Sequence, residues 1–78
     1  MVTLILKSIQ LARIENNYSQ EFIATKLNFS QSYYAKIEGG KAKLSAELLF
    51  QLLEILELDC VDFFKQIKKK KKKNDVTN

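Results

Sequence analysis

Gln31, Ser32, Tyr33 and Lys36 fall within six positions and carry an amide, two hydroxyls and an ammonium. On the first turns of a helix these groups can address base edges and phosphates. A glutamine amide can pair with N6 and N7 of adenine, and a serine hydroxyl can reach a base or a phosphate. Lys36 lies about one and a half helical turns further on, within reach of a guanine edge or a phosphate. Tyr33 could pack on a thymine methyl or touch the backbone. Taken by chemistry alone, the same set also describes a solvated polar helix face. Catalytic and metal chemistry are poorly served. The chain has no histidine and one cysteine, so neither a zinc site nor an internal disulfide is expected. It has no glycine-rich phosphate loop and no nucleophile beside a base, so neither enzymatic activity nor a cofactor is expected.

Those side chains need two short helices to carry them, and Ser19–Glu38 reads as such a pair. Ser19 is a good N-cap, followed by Glu21 where negative charge suits the helix dipole. Ile23 and Leu27 share a face with Ala24 beside them. Asn28 tolerates the left-handed backbone that ends the first helix, and Phe29 anchors the turn. Ser30 caps the second helix, whose apolar face is Tyr34 and Ile37. Phe22 and Tyr33 stand at the third helical positions, so these are plain caps rather than capping boxes. Helices this short do not hold themselves up in water and must be braced by the rest of the chain.

The flanking sequence predicts that brace. With two glycines, no proline and abundant leucine, isoleucine, lysine and glutamate, the chain should be all-α. Helix 1 is expected from about Thr3 to Asn16, with Leu4, Ile5, Ile9 and Ala12 on one face and Leu11 and Ile14 at its margins. Asn17 is the candidate left-handed residue after it, and Gly40 takes that role after Gly39. Ser45 should cap a leucine-rich core helix running to about Leu56. Phe50 sits nearer that helix's polar side and suggests a contact surface. Glu57, if left-handed, costs about 1–2 kcal/mol, so the helix could end differently there. A short fifth helix from near Asp59 would use Leu58, Val61, Phe63 and Phe64.

Charge divides the chain into a domain, residues 1–64, and a lysine-rich tail, residues 65–78. The net charge is +4, but the first part holds six basic and eight acidic residues, and the excess lies in the tail. Its six consecutive lysines, Lys68–Lys73, repel one another and predict disorder, or at best a frayed helical extension. Such a run would raise affinity for any polyanion without sequence information, or be a solvated tail without a role. It reads as a nuclear-import signal only in a eukaryotic host. The longest apolar stretch is too short for a membrane span, and Met1–Leu6 lacks the build of a signal peptide. A cytoplasmic protein with no membrane partner is expected.

Over residues 3–64 the chain resembles the lambda-repressor/Cro-type, or XRE-like, helix-turn-helix family. The matching pattern is Arg13, Ser19-Gln20-Glu21, Ala24, Leu27, Ser30-Gln31-Ser32-Tyr33, Lys36-Ile37-Glu38, Gly40-Lys41, then Leu48, Leu52, Leu56 and Asp62-Phe63-Phe64. The resemblance implies a five-helix lambda-repressor-like domain that binds double-stranded DNA, with Gln31, Ser32, Tyr33 and Lys36 on the reading helix. It implies that Gln20 contacts a phosphate and also the first residue of the reading helix, Gln31, and it implies loop phosphate contacts for Lys41 and Lys43. It also implies that Arg13 pairs with Glu38, a contact a guanidinium can make with two parallel bonds. Gly39 departs from the pattern, which often has a longer side chain there. The implied function is a small dimeric repressor or a restriction–modification controller, with Phe50 and Phe64 as dimer candidates. The alternative is the antitoxin of a toxin–antitoxin pair, which would bind a toxin as well as DNA.

Overall fold

The computed structural model describes the backbone of residues 1–77 and the side chains of residues 1–70. Among these the chain forms five α-helices: α1 Val2–Glu15, α2 Gln20–Lys26, α3 Gln31–Glu38, α4 Ala46–Ile55 and α5 Cys60–Thr77. Side-chain caps begin four of them. Ser19, Ser30 and Ser45 accept from the backbone N–H of Phe22, Tyr33 and Leu48, and Asp59 accepts from that of Asp62. Each cap satisfies one of the free donors of a first turn.

The ends of α1, α2, α3 and α4 share one construction. A residue in the left-handed region follows each cap: Asn17 (φ 60°), Asn28 (φ 60°), Gly40 (φ 79°) and Glu57 (φ 55°). The next N–H then reaches back over the last turn: Tyr18 to the Arg13 carbonyl at 3.0 Å, Phe29 to Ala24 at 2.8 Å, Lys41 to Lys36 at 2.7 Å and Leu58 to Leu53 at 2.8 Å. This is the Schellman closure, which satisfies the orphan carbonyls of a helix end. In three connections the residue after it is at once the next N-cap. Asn16-Asn17-Tyr18-Ser19, Leu27-Asn28-Phe29-Ser30 and Leu56-Glu57-Leu58-Asp59 are therefore one four-residue corner used three times. Glu57 is the odd member, because its Cβ makes the left-handed conformation cost about 1–2 kcal/mol.

The core gathers between the helices. α4 contributes Leu48, Leu49, Leu52 and Leu53 with Leu56 just beyond, and α1 contributes Ile5, Ile9 and Ala12. Ile23 and Ala24 of α2 and Tyr34 and Ile37 of α3 close over them. Each aliphatic side chain so buried contributes roughly 1.5–3 kcal/mol. Leu6 is also buried, so the apolar stripe of α1 is wider than the sequence suggests. Leu11 and Ile14 are 53% exposed, and Val61 is 60% exposed.

α5 is longer than the expected short helix. Phe63 and Ile67, four residues apart on one face, are both in the core, and Ile67 is 1% exposed. The segment with tail-like composition is thus helical over residues 65–70, with Lys65 and Lys68–Lys70 in solvent. For residues 71–78, the rest of that segment, the expectation of disorder lies outside the described side chains.

Candidate nucleic-acid interface

α3 is held by its apolar side and bare on the other. Tyr34 and Ile37 are each 1% exposed, whereas Gln31, Ser32, Tyr33 and Lys36 all lie in solvent. The half-buried Phe29 of the turn meets the Tyr33 ring edge-on, with centroids 5.0 Å apart, which orients that phenol. Ser30 Oγ accepts from the Tyr33 N–H in its cap and lies 3.4 Å from Ser32 Oγ, so the two hydroxyls are hydrogen-bonded to each other.

Behind α3 lies a polar chain anchored in the protein. Arg13 of α1 donates from Nε to Oε2 of Glu38 and from Nη2 to Oε1, each at 2.9 Å, a two-bond fork. Its Nη1 donates to the Tyr18 carbonyl at 2.8 Å, so Arg13 ties α1, the first corner and the end of α3 together. The side chains of Arg13 and Glu38 are 11% and 3% exposed. Burial pushes the Glu38 carboxyl up, but the bonds from Arg13, with that from Gln20, outweigh it and hold the group below its ordinary value. Arg13 is pushed further up by its bond to Glu38. Tyr34 carries a buried hydroxyl with no partner in bonding geometry, and burial with the nearby Glu38 charge drives its pKa up.

The chain continues outward through two amides. Gln20 Nε2 donates to Glu38 Oε1 at 3.2 Å, and Gln31 Nε2 donates to Gln20 Oε1 at 2.9 Å. The direction follows from chemistry. An ionised carboxylate only accepts, so Gln20 must turn its NH₂ toward Glu38 and its carbonyl toward Gln31. Gln31 must then donate to Gln20. That leaves the Gln31 carbonyl and one amide hydrogen without a partner among the described residues. An acceptor beside a donor is the pattern that matches N6–H and N7 of adenine.

The connection from α3 to α4 carries the next cations. From Lys41 to Leu44 exposure alternates, with Ala42 and Leu44 half-buried and Lys41 and Lys43 in solvent. The Lys36 carbonyl accepts from the N–H groups of Lys41 and Ala42, at 2.7 and 3.1 Å, which fixes the start of that loop. Gly39 is exposed and gives bare backbone at this edge. The dimer candidates differ: Phe50 is 54% exposed, while Phe64 is half-buried, edge-on to Phe63 with centroids 5.4 Å apart.

Residue types pointed to the outer positions of this surface. They gave no sign of the bond from Gln20 to Glu38, which arises only because α2 and α3 pack together. Among the described residues no cluster of three or more metal-ligating side chains occurs, and no helix is long and apolar enough to cross a membrane. A family model described as helix-turn-helix matches residues 9–63, well over half the chain. Comparison with curated proteins and with solved structures finds no match.

Proposed function

The chain belongs to the XRE and lambda-repressor type of helix-turn-helix family, and from that premise we propose that it is a dimeric repressor whose α3 reads the major groove. At the coarser level it is a DNA-binding transcriptional regulator. The observation that supports the finer reading is the oriented amide chain from Glu38 through Gln20 to Gln31. It holds a base-reading group in one hydrogen-bonding sense before DNA arrives, which reduces the ordering cost of recognition. Ser32 and Tyr33 sit beside it, and Lys36 follows along the same exposed edge. In this reading Lys41 and Lys43, exposed on the loop after α3, meet phosphates, and the lysines of α5 add affinity that is indifferent to sequence.

One copy of α3 covers too few base pairs for useful discrimination, so a twofold dimer is part of the proposal. Its half-sites would lie on the order of 10 bp apart, centre to centre. Phe50, more than half exposed on α4, is the better placed of the two dimer candidates. A restriction–modification controller is the narrower form of this reading.

Selection of duplexes from a random pool with the purified chain tests it. The expected result is an inverted repeat, with an adenine position that loses its preference in Gln31→Ala. In the same assay Lys36→Ala should weaken the best site by about 1–3 kcal/mol and relax one position if the lysine reads a base. A uniform loss with a smaller salt slope would place Lys36 on phosphate instead. Selected duplexes without any shared sequence, bound by a monomer, would end the proposal.

A further inference from the structure

We infer that the cleft between α1 and α5 is a docking site for a basic amphipathic segment of another protein. The cleft is an open groove of about 630 Å³, and Leu11, Ala12, Leu58 and Phe63 contribute its apolar surface. Four carboxylates line it as well, Glu15, Glu57, Asp59 and Asp62, and among the described residues one cation, Lys70. Among the described residues none of the four is in an ion pair. One oxygen of Asp59 is occupied in capping α5; the side chains of the other three make no hydrogen bond among the described residues.

Each half of this description restricts the occupant. The apolar part, with Leu11 more than half exposed, favours aliphatic side chains over a purely polar chain. The carboxylates favour lysine or arginine, whose long stems can lie on apolar surface while the charged head reaches an acid. The carboxylates disfavour a polyanion such as DNA inside the cleft itself. A second copy seated twofold on the same cleft would bring carboxylates against carboxylates, which is unfavourable. A segment with aliphatic residues at helical spacing and basic residues flanking them fits both halves. The cleft takes no residue from α2 or α3, so an occupant leaves the exposed edge of α3 free.

Titration calorimetry of the full chain with three synthetic helical peptides tests this. The first carries a leucine stripe flanked by lysines, the second has glutamate for each lysine, and the third has serine for each leucine. Only the first should bind with a one-to-one stoichiometry. Leu11→Lys and Glu15→Lys alter exposed positions of α1, and each should weaken that peptide by about tenfold or more while leaving duplex binding unchanged. Circular dichroism of both variants confirms that the fold is retained. Equal binding of the serine peptide would reduce the effect to charge alone and overturn the inference. Undiminished binding by both variants, or self-association of the wild type that Leu11→Lys abolishes, would overturn it too.

Discussion

The same corner joins α2 to α3 and α4 to α5, yet the two helix pairs do different work. Leu27-Asn28-Phe29-Ser30 and Leu56-Glu57-Leu58-Asp59 share the left-handed residue, the back-reaching N–H and the immediate N-cap. After the first corner come Gln31, Ser32 and Tyr33, all in solvent; after the second, Phe63 and Ile67 drive α5 into the core. Corner geometry therefore decides how helices meet but not what they present. The second difference is depth of anchoring. α3 is tied to α1 by a buried charged fork, whereas among the described residues α5 is held to the core by apolar side chains.

The largest test of that contrast removes the charged anchor. Glu38→Ala leaves the Arg13 guanidinium buried and unpaired and should cost about 3–5 kcal/mol in chemical denaturation. It should also remove a pH dependence. The Glu38 carboxyl binds its proton less readily folded than unfolded, so its contribution is complete above the unfolded value near 4.3 and is lost as pH falls through the lower folded value. Urea midpoints for wild type between neutral and acid pH should show this loss, and those of Glu38→Ala should show less of it.

Ile67→Ala attacks the apolar anchor of the other pair. A cost of about 2–5 kcal/mol is expected, as for a core isoleucine. A cost near zero would return this residue to the tail and dissolve the contrast. Next in size is Gln31→Ala, which should weaken the selected duplex by about 1–3 kcal/mol with no change in melting temperature. The smallest effect compares the corners themselves. Glu57→Gly relieves a left-handed side chain and should stabilise by about 1 kcal/mol, whereas Asn28→Gly should change melting by only a few tenths. Equal responses at the two positions would mean that the corners are strained alike.

Much of the scaffold is legible in the sequence because its signals are local. Serine before an apolar periodic run marks the caps, and asparagine or glycine after one marks the left-handed residues. Ser19, Ser30, Ser45, Asn17, Asn28 and Gly40 all follow this logic. Glu57 does not, since nothing in its side chain favours φ of 55°; the Leu58 N–H bond to Leu53, the packing of Leu58 and the cap at Asp59 hold it there. Ile67 was obscured by its lysine neighbours, although its spacing of four from Phe63 is the usual sign of a shared helix face. At the exposed edge of α3, residue types identify groups able to hydrogen-bond, but the sense of each amide depends on a contact between helices that no local pattern encodes.

That sense originates in a chemical asymmetry well below the surface. A carboxylate has no hydrogen to give, and this one-way property passes along two amides to the outermost one. Replacing Glu38 by its own amide would keep the shape and erase the polarity, since either end of residue 38 could then face Gln20. The outer glutamine would be free to turn over, and the protein would lose handedness in its reading while still gripping the duplex.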